Sequence, residues 1–165
     1  MDIFDYAKQM EKDGENYYRQ LAAESATEGL RKIFVMLADE EVKHFRVIEA
    51  MEKNLQKTSF EDSPILDNTM NVFQAMKDQK QPLHIDSTAE TEKYRNARDI
   101  EEISREFYQE KADEAGTEHQ RTLFLKLAAE EANHLRIMEN IVEFVSRPEP
   151  GNWLENAEWT NLEPY

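Results

Sequence analysis

Leu37-Ala38-Asp39-Glu40-Glu41-Val42-Lys43-His44 and Leu127-Ala128-Ala129-Glu130-Glu131-Ala132-Asn133-His134 are two versions of one stretch. Each carries Glu-x-x-His, and the second begins 90 residues after the first. In a helix, residues three apart share a face, with Cβ atoms about 5–6 Å apart. Each stretch therefore points one carboxylate and one imidazole in the same direction.

Working outward, both stretches lie in regular apolar seams. Leu30, Phe34, Leu37, Glu41, His44, Ile48, Met51 and Leu55 recur at the alternating three-and-four spacing of a buried helix stripe. Phe124, Leu127, Glu131, His134, Met138, Ile141 and Val145 do the same. The preceding helices read Phe4, Ala7, Glu11, Gly14, Tyr18, Leu21 and Tyr94, Ala97, Glu101, Ser104, Tyr108, Ala112. All four stripes accept a glutamate, and a buried carboxylate without a partner is costly. Glu40 and Glu130 lie one position off the seam and lack the three-residue spacing to histidine. They are read as solvated groups or as groups behind the ligands.

The repeat runs without gaps. Adding 90 takes Glu11 to Glu101, Tyr18 to Tyr108, Phe34 to Phe124, Glu41 to Glu131 and His44 to His134. Two duplicated helical hairpins give an all-α, antiparallel four-helix bundle with one long crossover between the second and third bundle helices. Antiparallel neighbours pair at positions equidistant from their turn. Glu11 and Glu41 have their midpoint at Ala26, and Glu101 and Glu131 have theirs at Gly116. All four carboxylates thus fall at one level of the bundle. The domain is expected over residues 1–146, with a crossover at about 56–88. Lys57-Thr58-Ser59 should end the second helix, Ser63-Pro64 should open a short amphipathic one, and Gln81-Pro82 should close it. Residues 147–165 form a tail whose Trp153 and Trp159 are expected to pack on the bundle or on a partner subunit.

Composition narrows the chemistry. The 165 residues hold 35 Asp and Glu against 20 Lys and Arg. That balance argues against nucleic acid and anionic membrane surfaces. With no cysteine, disulfides, iron–sulfur clusters, rubredoxin-type iron and thiol catalysis are excluded. Neither a signal peptide nor a membrane-spanning run is visible, so a cytoplasmic location is expected.

Six inward side chains, Glu11, Glu41, His44, Glu101, Glu131 and His134, converge on one buried volume. Four carboxylates there repel one another and raise each other's pKa. Two divalent cations would neutralise them. One glutamate from each of two helices, plus Glu-x-x-His from each of the other two, is the established pattern of di-iron and di-manganese carboxylate bundles, matched here rather than derived. Carboxylate and imidazole suit iron, manganese or zinc. Tyr18 and Tyr108 lie one seam turn beyond Glu11 and Glu101, as core tyrosines whose hydroxyls should find a cluster carboxylate across the bundle. Two alternatives stay open for them, a redox role and a proton-donating one.

Over residues 1 to about 145, the stretches Glu11 to Tyr18, Leu37 to His44, Glu101 to Tyr108 and Leu127 to His134 resemble the rubrerythrin-like members of the ferritin-like superfamily. The resemblance implies that Glu11, Glu41, His44, Glu101, Glu131 and His134 ligate two iron ions. It also implies reduction of hydrogen peroxide or dioxygen with oxidation of Fe(II), commonly under oxidative stress. Two departures stand out. Rubrerythrin proper carries a rubredoxin-like domain with four cysteines, so electrons here are expected from a separate electron-transfer protein. Rubrerythrin also has an extra glutamate one turn after its third-helix ligand, tied to metal movement during peroxide turnover. Ser104 occupies that position, mirroring Gly14.

Two functions are weighed. One is a di-iron oxidoreductase that works on peroxide or dioxygen with an external donor, as a homo-oligomer with a dimer favoured. The other is an iron-binding or storage protein with ferroxidase activity. Against a storage cage, the long polar crossover and Pro-rich tail do not look like the short fifth helix of ferritins.

Overall fold

The computed structural model describes residues 2–54, 60–79 and 88–146. Their regular structure is five helices and no strand: α1 (Ile3–Glu24), α2 (Glu28–Glu52), α3 (Ile65–Asp78), α4 (Thr88–Glu114) and α5 (Glu118–Val145). The duplicated seams become α1, α2, α4 and α5, and α3 is the crossover's own helix. The helix α1 starts where the Asp2 carboxylate accepts the Asp5 N–H at 2.9 Å. Likewise, the Thr117 hydroxyl accepts the Gln120 N–H at 3.1 Å at the start of α5. The two hairpin turns fall at residues 25–27 and 115–117, centred on Ala26 and Gly116 as the repeat arithmetic requires.

The apolar core is split in two by the polar level. One cluster holds Leu21, Leu30, Phe34 and Leu37 with Tyr94, Met138 and Ile141, and α3 adds Phe73 and Met76. The other holds Ala7, Ile48 and Met51 with Tyr108, Phe124 and Leu127, closed by Phe60. The first cluster surrounds the α1–α2 turn and the second the opposite end. The crossover must therefore run the length of the bundle, and α3 lies along α2 and α5 on the way. Gly29 permits that approach: a Cβ there would stand 2.0 Å from Met76 Sδ.

Two boundaries differ from the sequence reading. The helix α2 ends at Glu52, before Lys57-Thr58-Ser59, and Asn54 leaves it at a φ of 53°. Asparagine is one of the few residues that tolerates this left-handed conformation. Pro64 is the N-cap of α3 rather than its first helical residue, although the Ser63 hydroxyl still accepts the Ile65 N–H at 3.1 Å. The third bundle helix, α4, begins at Thr88, where the sequence reading ends the crossover. Leu55, Lys57-Thr58-Ser59, Gln81-Pro82 and the tail at 147–165 with Trp153 and Trp159 lie outside the described residues. No described helix is long and apolar enough to cross a membrane.

Candidate metal centre

The six seam residues meet between the two apolar clusters, and none is more than 4 % exposed. The helices α1 and α4 bring Glu11 and Glu101, while α2 and α5 bring Glu41 with His44 and Glu131 with His134. The arrangement is nearly two-fold. His44 Nδ1 lies 3.1 Å from Glu131 Oε1, and His134 Nδ1 lies 3.1 Å from Glu41 Oε1. His44 Nδ1 is also 3.5 Å from Glu11, and His134 Nδ1 is 3.6 Å from Glu101. The two imidazoles stack, with centroids 5.3 Å apart and planes 11° from parallel.

The tyrosines complete the symmetry. Tyr18 on α1 donates its hydroxyl to Glu101 on α4, and Tyr108 on α4 donates to Glu11 on α1. Each sits against a phenylalanine of the neighbouring hairpin helix, Tyr18 on Phe34 and Tyr108 on Phe124. The expected cross-bundle hydroxyl–carboxylate contact is present at both ends.

Without cations the cluster balances its charge with protons. Burial opposes the charge on Glu11, yet hydrogen bonding to Glu41 and the His44 imidazolium pull its pKa down to about 2. Glu101 is also lowered, with His134 outweighing burial. Burial and then the charges of Glu11 and Glu101 push Glu131 up to about 8. Glu41 is raised by burial and by Glu131, Glu11 and Glu101. Burial opposes charge on His44, but Glu11 and Glu131 raise it to about 10, and His134 is raised in the same way. Two ionised carboxylates thus face two imidazolium rings, and Glu41 and Glu131 hold protons. Glu41 and Glu131 follow the sequence expectation that like charges raise one another's pKa, whereas Glu11 and Glu101 are lowered because imidazolium rings face them.

The donor set fits a pair of metal ions. Glu11, Glu41, His44 and Glu131 offer ligand atoms all within 4.8 Å of one another, as do Glu41, Glu101, Glu131 and His134. The two groups share Glu41 and Glu131, which gives two adjacent cation positions bridged by two carboxylates. Buried oxygens of Glu11 and Glu131 have no hydrogen-bond donor. Orphaned acceptors of this kind are rare in a core without a ligand. Two divalent ions would displace the protons and leave the cluster neutral.

Of the two alternatives read for Glu40 and Glu130, solvated or behind the six seam residues, burial removes the first. They are not solvated: they are 6 % and 5 % exposed. The Ser63 hydroxyl donates to Glu40 at 2.7 Å, and the Ser63 N–H donates to Glu130 at 3.1 Å. The overlooked signal is spacing. Glu40 precedes His44 by four residues, as Glu130 does His134, and four apart shares a helix face as well as three. Phe60 was unread and Ser63 was read only as a helix start, because the segment before α3 carries no periodicity to place it against the bundle.

No match was found among curated proteins or among solved structures. A sequence model of the family described as Rubrerythrin matches residues 2–142. With that match over most of the chain, and with the paired Glu and Glu-x-x-His helices in place, the chain belongs to the rubrerythrin family.

Proposed function

We propose that this chain is a di-iron oxidoreductase that reduces hydrogen peroxide or dioxygen and is re-reduced by a separate electron-transfer protein. The observation that carries the reading is the pair of near-equivalent ligand groups sharing Glu41 and Glu131. Glu11 and His44 would hold one ion and Glu101 and His134 the other. When bound, the ions supply the two electrons that the oxidant takes up, and manganese or zinc would satisfy the same ligands. The chain's own residues do the rest. Tyr18 and Tyr108 fix Glu101 and Glu11 in orientation through their hydroxyl hydrogen bonds. Leu37 and Leu127, fully buried in the two flanking clusters, keep bulk water from the site. The 165 residues hold no cysteine, so no thiolate iron centre stands within them to pass electrons on. A homodimer is the assembly we propose.

The test is single-turnover oxidation of Fe(II)-loaded protein by peroxide and by dioxygen, followed by reduction with a small electron-transfer protein. Complete oxidation of two irons per chain and full re-reduction in a small oligomer support the proposal. Uptake of many more irons per chain into a large hollow particle would instead identify a store. Ser104 is buried one turn from Glu101. Ser104→Glu supplies the carboxylate present in the wider family and should raise the ratio of peroxide to dioxygen rates.

A further inference from the structure

The imidazoles of His44 and His134 have two edges, and the inner cluster uses only one. Their Nδ1 atoms face the inner carboxylates. Both Nε2 atoms are buried and have no hydrogen-bond partner. Beyond them stand Glu40 and Glu130, and ligand atoms of Glu40, His44, Glu130 and His134 all lie within 4.8 Å of one another. With Nδ1 committed inward, the nitrogens left for this second group are the Nε2 atoms. Glu130 Oε2 is also buried and unpartnered. Glu40 has a cationic neighbour in Lys43 at 3.3 Å, but the Lys43 side chain is 59 % exposed. Two carboxylates within reach of each other and two ring nitrogens without a hydrogen-bond acceptor form a donor set with no partner of its own.

The surroundings look built to hold these groups in place. Ser63 bridges them, its hydroxyl on Glu40 and its N–H on Glu130. Phe60 packs edge-on against the His44 ring at 5.6 Å. A surface groove lined by Glu40, Lys43, Arg46, Phe60, Glu61 and Asp62 opens beside Glu40. Its acids Glu61 and Asp62 are exposed, and with Glu40 they outnumber Lys43 and Arg46 on its wall.

We propose that Glu40, Glu130 and the Nε2 edges of His44 and His134 form an outer cation site between the surface groove and the inner cluster, where a divalent ion binds on its way in. It deepens the di-metal reading and rests on it. Two nitrogen and two oxygen donors suit a first-row divalent ion such as Fe(II), Co(II) or Zn(II), rather than the all-oxygen shells of calcium or magnesium. Each imidazolium would release its Nε2 proton to the solvent as the ion binds there, while keeping its Nδ1 proton on the inner carboxylates. Passage inward then exchanges the ring edge that binds.

The experiment is stopped-flow loading of metal-free protein with Co(II), followed by visible absorption and by metal analysis at the end point. The full chain is compared with Glu40→Gln/Glu130→Gln, which removes both charges at constant shape and touches no inner carboxylate. The expected result is two cobalt ions per chain in both proteins, with uptake by the variant slowed roughly tenfold. Ser63→Ala, which leaves every carboxylate in place, should slow uptake less, and it serves if the double variant does not fold. Uptake at the wild-type rate in the double variant, or in Ser63→Ala where that must stand in, overturns the proposal. So does an end point below two in the double variant, because Glu40 and Glu130 would then belong to the inner centre. A wild-type protein that never holds two ions contradicts the di-metal reading instead.

Discussion

Glu11 and Glu101 differ from Glu41 and Glu131 although all four are seam glutamates at one level. Their tyrosine donors and the nearby imidazolium rings keep Glu11 and Glu101 ionised, while Glu41 and Glu131 carry protons. Substitution should separate the two pairs in metal-free protein. Glu11→Leu/Glu101→Leu strips both imidazolium rings of a partner and should destabilise by about 3 kcal/mol or more, as breaking a buried ion pair does. Glu41→Leu/Glu131→Leu removes groups that are already neutral and should cost less. Urea unfolding of the two metal-free variants checks the order, and a larger loss from the second pair would show that the charges are placed wrongly. At this scale the sequence was legible where side chains repeat in register: the six seam ligands and the two tyrosines were all in reach. What it could not convey was proton placement, which depends on distances between helices. Nor could it show the burial of Glu40 and Glu130, which depends on Ser63 from a segment with no pattern.

At the scale of elements, the four bundle helices were readable because each seam has one period and because the 90-residue repeat fixes which glutamates share a level. Helix ends were less so, since local contacts decide them. The Ser63 hydroxyl donates to Glu40 and accepts the Ile65 N–H, and α3 starts one residue later than the Ser-Pro signal implies. Two glycines make testable claims about element spacing. At Gly14 on α1 a Cβ would stand 3.3 Å from Glu41 Oε2. Gly14→Ala should gain up to about 1 kcal/mol in helix preference, yet displace the shared carboxylate and weaken metal binding in a competition titration. Unchanged metal affinity would mean that Glu41 yields freely. At Gly29 the added Cβ would overlap the buried Met76 side chain, so Gly29→Ala should destabilise despite the same helix gain. Gly29→Ala/Met76→Ala should restore little, because it trades the overlap for a cavity.

For the whole molecule, a charged level between two apolar clusters makes stability depend on what neutralises it. The direction with pH follows from the raised groups. Glu131 binds its proton more tightly folded, with a pKa of about 8 against an ordinary value near 4.3. Its contribution is full below about 4.3 and is lost progressively as pH rises through about 8. His44, raised to about 10, contributes fully below its ordinary value near 6.5 and loses that contribution as pH rises through about 10. Glu11, lowered to about 2, works oppositely and is lost only in strong acid. Metal-free protein should therefore melt at falling temperature as pH rises from about 5 to about 10. Metal-loaded protein should resist this, since ions replace the protons and bind better as pH rises. Saturating metal should raise the melting temperature near neutral pH by about 10 °C. Scanning calorimetry across that range with and without metal checks both signs.

Metal analysis after anaerobic reconstitution with Fe(II) tests the central claim most directly, on wild-type protein beside His44→Ala/His134→Ala. The two ligand groups sharing Glu41 and Glu131 predict two ions per chain in the wild type and close to none in the variant. A wild-type ratio near zero, or a variant that keeps both ions, would contradict the account.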